Sequence, residues 1–169
     1  TANTKPVVVT GKKEEAAPVK KDSAAIGSIK TANYHFKLHR AFVYTPAGSE
    51  VLAGFTPKPG FKFLYLDVSL KNTGNAVLDG GQIFIALKIT GSDKIEYKKP
   101  AAALAAYTTE NPRASNQEEY NALWEKFESN EFHRELVYAV EVPAGMKSFT
   151  LSIPTDRQRK EWNEIKFEL

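Results

Sequence analysis

Apolar and polar positions alternate most regularly in Gly60–Gly74. Leu64, Leu66, Val68 and Leu70 fall on one parity, and Phe61, Phe63, Tyr65, Asp67, Ser69 and Lys71 on the other. Successive strand side chains point to opposite faces. The spacing therefore predicts a central strand with one face on a core and the other passing from aromatic to polar. Asn72-Thr-Gly-Asn75 supplies turn formers to stop it. Upstream, Tyr34, Phe36 and Leu38 alternate with His35, Lys37 and His39 and predict an earlier strand. That pattern slips near Arg40–Ala41, where a bulge or bend is expected before Phe42-Val-Tyr44. Downstream, Ile83, Ile85, Leu87 and Ile89 alternate and predict a buried strand entered by a turn at Asp79-Gly-Gly81. Lys94–Tyr97 is expected as its short hairpin partner. Leu136/Tyr138/Val140/Val142, Phe149/Leu151/Ile153 and Ile165/Phe167/Leu169 predict three closing strands, punctuated by Pro143-Ala-Gly145 and Pro154.

Two segments break this rhythm. Ala101–Ala106 favours helix but is short, and isolated short helices are marginal, so Pro100–Pro112 reads as a loop with one helical turn at most. Ser115-Asn-Gln-Glu118 is a capping-box sequence, and Tyr120, Leu123, Trp124 and Phe127 follow at helical spacing. An amphipathic helix over about 115–129 is expected. Short strands separated by turns, with one such helix inserted late, predict an all-β fold, an antiparallel β-sandwich.

Composition and charge sharpen the domain boundary. Residues 1–30 contain no aromatic residue and are rich in Lys, Ala, Glu, Thr, Val and Pro. Such a segment buries too little apolar surface to offset its ordering entropy, so it reads as a flexible tail or stalk, and 31–169 as the folded domain. Pro6-Val-Val-Val-Thr10 is the one stretch of it suited to a sheet edge. The formal net charge of +3 lies in this tail, where six lysines oppose Glu14, Glu15 and Asp22. A formally neutral domain argues against nucleic acid as a partner, because that partner requires a basic face. No apolar run reaches the ~18 residues of a membrane helix. The chain begins at Thr1, as removal of a leader or a cut in a longer chain would leave it.

Candidate chemistry is sparse. His35 and His39 share one strand face but stand about 13 Å apart at ~3.3 Å per residue, too far for one metal ion unless the bulge bends the chain. His133 is the third histidine, and there is no Cys. No nucleophile-elbow or phosphate-loop pattern is present, so no catalytic residue, metal or cofactor is expected. Asp156-Arg-Gln-Arg-Lys160 is a small basic cluster, either a solvated loop or a contact for an anionic ligand. Tyr120, Trp124 and Phe127 are the candidate binding residues. Their helix face either completes the core or presents aromatic anchors to a partner.

Gly60, Lys62-Phe63, the aliphatic series Leu64/Leu66/Val68/Leu70 and Asn72-Thr-Gly74 together resemble the central strand of a bacterial immunoglobulin-like family of unknown function, found in exported proteins and lipoproteins. Leu136–Pro143 followed by Phe149–Ile153 resembles that family's late hairpin. The helix at 115–129 stands where the family has a Pro-Gly turn. Some members carry a telomere-binding label, but this chain has no DNA-reading element to match it. The resemblance implies an immunoglobulin-like sandwich in the cell envelope: periplasmic, outer-membrane-attached or extracellular. It also implies a lipid-bearing Cys ahead of Thr1 as the one membrane connection. The expected function is a non-enzymatic envelope interaction module whose partner is a protein or envelope component. The alternative is a small-ligand carrier with an apolar pocket between helix 115–129 and the sheet.

Overall fold

A computed structural model describes residues 25–46, 56–111, 126–155 and 159–169, with backbone only at 101–102 and 133–137. The predicted central strand forms as β3 (Phe61–Asn72). It lies between β2 (Tyr34–Val43) and β7 (Phe132–Pro143), and β1 (Gly27–Lys30) pairs with the far side of β2. Every pairing in this four-stranded sheet is antiparallel. The second sheet holds β5 (Lys88–Gly91), β8 (Ser148–Pro154) and β9 (Trp162–Glu168), again antiparallel. A two-stranded ribbon, β4 (Leu78–Asp79) with β6 (Lys126–Phe127), closes one end.

Period-2 alternation explains the core. Phe36, Leu38, Leu64, Leu66, Val68 and Leu70 are fully buried on the inner face of the first sheet. They meet Ile89, Phe149, Leu151, Ile153, Ile165 and Phe167 from the second, which makes a two-layer sandwich. The expected slip in β2 is a register shift between Leu38 and Arg40. One extra residue returns Ala41 to the core side and sends Phe42 outward. Gly60 enters β3 at φ 82°, in a turn closed by Phe61 N–H donating to Lys58 O at 2.9 Å.

Five expectations need correction. Residues 80–86 are a helix, α1 (Gly80–Ala86), and only Lys88–Gly91 is strand. The Asp79 side chain accepts from Gln82 N–H and caps the helix, and Ile83, Phe84 and Leu87 turn into the core while Ile85 is half exposed. Ala101–Glu110 is a full helix, α2, rather than a loop. It lies on the aromatic end of the outer sheet face, where Ala103 and Tyr107 are buried with Phe63, Tyr65 and Ala139. Tyr65 Oη–H donates to Ala103 O at 2.7 Å, and Tyr65 and Tyr107 ring centroids lie 4.9 Å apart. The end of the expected helix 115–129 is strand: Lys126 and Phe127 pair with Asp79 and Leu78. Residues 112–125 lie outside the described residues. The segments 136–143 and 149–153 are no hairpin, because β7 and β8 belong to different sheets. Finally, the sheet already includes Gly27–Lys30, with Ile29 buried, so the domain starts earlier than residue 31.

Candidate functional site

The end of the sandwich where β2 begins and where β3 and β8 finish is built from connecting segments. They enclose a cleft of about 750 Å³. Ala76, Val77 and Leu78 form one wall, and Ile83 and Pro154 contribute further apolar surface. Asn33, Gln82 and Thr155 add polar groups, and Asp79, Lys126 and Arg159 are its charged side chains among the described residues.

Asn72 holds the floor together. It is fully buried at the last position of β3. Its Nδ2 donates to Ala76 O and to Phe127 O, each at 2.9 Å, and its Oδ1 accepts from Gly74 N–H at 2.9 Å. The backbone of Asn72 also donates to Glu131 O and accepts from Asn130 N–H, both at 3.0 Å. One amide thus ties the β3–β4 connection and β6 to the central strand, a fully satisfied buried polar group. Tyr34 Oη–H donates to Pro154 O on the facing sheet, and burial pushes its phenol up to about 12.

The charged groups sit around this floor. Asp79 Oδ1 accepts from Gln82 N–H at 3.1 Å, and Asp79 is the register partner of Lys126. Arg159 is held in the left-handed region, at φ 57°. Its carbonyl accepts from Trp162 Nε1–H at 3.0 Å, and its guanidinium Nη2 donates to Gln82 Oε1 at 3.3 Å. The Thr155 amide donates to Glu161 O at 2.9 Å, while its buried Oγ1 has no partner among the described residues.

The residues expected from sequence fall differently. Phe127 is fully buried in the core and touches the cleft only through its neighbours, so it is no exposed anchor. Tyr120 and Trp124 lie outside the described residues. Of the basic cluster 156–160, Arg159 lines the cleft, and 156–158 lie outside the described residues. His35 faces outward opposite Lys71. Its pKa is lowered, first by burial and then by Lys37, Lys30 and Lys71. His39 sits at the bulge with its Nε2 2.7 Å from Ser69 Oγ. Ser69 is only 1% exposed, at the register shift between β3 and β7, so this pair reads as a buried polar contact. Among the described residues no group of three His, Cys, Asp or Glu could hold a metal ion. The cleft itself was not legible in sequence, because its lining comes from segments far apart in the chain. The basic cluster was the one local signal.

No protein-family model and no curated protein sequence matches the chain. Solved structures do. A conserved hypothetical protein from Bacillus anthracis is similar over 84% of this chain and 94% of its own, at 14% identity and TM-score 0.55. What is shared is the β-sandwich fold. A Bacillus subtilis protein, YcdA, described as a "putative lipoprotein", is similar over 87% of this chain at 11% identity and TM-score 0.54. The match spans 39% of that longer chain. No helix among the described residues is long and apolar enough to cross a membrane.

Proposed function

We propose that this chain is the exported, non-enzymatic binding domain of a bacterial cell-envelope protein, and that the end cleft is where it takes its ligand. The observation that carries this reading is the construction of the cleft. Its walls come from stretches far apart in the chain, including the β1–β2 and β3–β4 connections, α1, β6 and the end of β8, and Asn72 locks its floor to the central strand. A concave site of drug-like volume on a rigid scaffold suits recognition. Its polar groups are largely engaged already: Asn72 in three bonds, Asp79 in the cap, Tyr34 across the sheets. Such groups orient a ligand rather than exchange protons with it. The fold likeness to a Bacillus subtilis protein described as a "putative lipoprotein" supports export, and the location proposed is the envelope: periplasmic, outer-membrane-attached or extracellular. A lipid-bearing Cys ahead of Thr1 would be the anchor.

The carrier alternative moves with the site. Phe127, one of the three candidate binding residues on the expected helix 115–129, is closed into the core. A carried molecule would therefore sit in the end cleft. The test is native mass spectrometry of protein purified from its own host, with fractionation of the cells. An envelope fraction carrying a stoichiometric small molecule or a partner supports the reading. A bare protein in the cytoplasmic fraction overturns it.

A further inference from the structure

We propose that the end cleft selects a small organic anion with an apolar tail, an inference that rests on the cleft being the ligand site. The first observation is charge. Two cations and one carboxylate line the cleft among the described residues. The carboxylate of Asp79 is already engaged with the amide of Gln82 and lies opposite Lys126 in register. Arg159 forms no ion pair among the described residues, and its guanidinium donates instead to the neutral amide oxygen of Gln82. The rim is therefore net positive, with a guanidinium that one hydrogen bond aims and does not neutralise.

The second observation is backbone strain. A non-glycine residue at φ 57° is costly, and it persists only where the surrounding structure enforces it. Here the indole of Trp162 clamps the carbonyl of Arg159 from one side and Gln82 holds its side chain from the other. The Gln82 contact sets where the guanidinium lies at the cleft. The third observation is the hydroxyl of Thr155, a cleft-lining residue, which is buried just beneath the surface and has no hydrogen-bond partner among the described residues.

These groups match one ligand chemistry. A planar guanidinium offers paired donors to a carboxylate or phosphate, and the lysine adds a point charge. The remaining wall, with Val77, Leu78, Ile83 and Pro154, is apolar and accepts a hydrocarbon tail. The volume of about 750 Å³ holds a molecule of that kind.

The experiment uses the whole chain, isotope-labelled, and four probes with one common tail: octanoate, octyl phosphate, octylammonium and octanol. Amide shifts are followed at Gln82, Lys126 and Thr155. At least one of the two anions should bind saturably there, about five- to tenfold tighter than octanol or octylammonium, as partly exposed charge-assisted hydrogen bonds allow. Which anion binds tighter tells carboxylate from phosphate. The double variant Lys126→Gln/Arg159→Gln should bring the anions down to the affinity of octanol while the melting temperature holds. Equal binding of all four probes would overturn the anion selectivity and leave the cleft as a ligand site. Silence of all four at these amides would overturn both readings. Anion binding that survives the double variant would place the anion site elsewhere and sink the inference.

Discussion

Asn72 is the most informative single perturbation. The Asn72→Ala substitution removes three hydrogen bonds of 2.9 Å: two donated to Ala76 O and Phe127 O, one accepted from Gly74 N–H. Each is worth about 1 kcal/mol net, and stranding a buried partner costs more. The residue also borders the cleft, so water reaches some of the freed groups. The expected loss is about 2–3 kcal/mol. With a urea m-value of about 2 kcal/mol/M, the unfolding midpoint should fall by about 1–1.5 M with the slope unchanged. Asn72→Asp is the sharper companion. It keeps the acceptor for Gly74 N–H but turns an anionic oxygen toward two carbonyls inside the core. Burial and those carbonyls raise the folded pKa of the new carboxyl above its unfolded value of about 3.9. Protonation therefore favours the folded state. The variant should be closest to wild type below about pH 4 and lose stability as pH rises through the raised folded pKa. Urea titrations at a series of pH values read this directly. If Asn72→Ala costs less than about 1 kcal/mol, or if Asn72→Asp shows the same pH profile as wild type, Asn72 does not hold the cleft floor and the reasoning fails.

Three further outcomes are expected. Tyr34 has its phenol raised to about 12, so its contribution is fully present below about pH 10 and is lost between about pH 10 and 12; Tyr34→Phe should flatten the alkaline limb of the stability profile, and an unchanged limb would remove Tyr34 from the account. A Cβ on Gly27 would lie 2.5 Å from Ile165 Cγ2. Gly27→Ala should therefore cost about 1–3 kcal/mol, and combining it with Ile165→Ala should give a coupling of about 1 kcal/mol in the relieving direction; additive losses would refute the close approach of β1 and β9. A chain starting at residue 25 should melt within about 2 °C of the full chain, whereas one starting at 31 loses β1 and buried Ile29 and should melt about 5 °C lower or more; equal melting temperatures would show that β1 adds nothing.

The sequence by itself determined the strands whose partners only confirm a local pattern. Along Phe61–Asn72 and Ser148–Pro154, strict alternation assigns each side chain to a face before any neighbour is known. The slip at Leu38–Arg40 was legible for the same reason, since one extra residue must swap the faces. Where local pattern is ambiguous, the tertiary structure decided. Ile83, Ile85, Leu87 and Ile89 suit a strand as well as a helix plus strand. The Asp79 cap and the burial of Ile83 and Phe84 select the latter and leave Ile85 half exposed. Ala101–Glu110 shows little contrast between its faces, so its own pattern cannot call for burial. Its alanines favour helix, and packing on Phe63 and Tyr65, which it buries, makes up for its short length. Lys126–Phe127 follows a capping-box sequence that favours helix locally. It is strand because Leu78–Asp79 offers backbone partners and the core takes the Phe127 ring. The cleft belongs wholly to this second class. Asn33, Asn72, Asp79, Lys126 and Arg159 meet only because two sheets stack and bring distant loops to one end, and no spacing along the chain encodes that meeting.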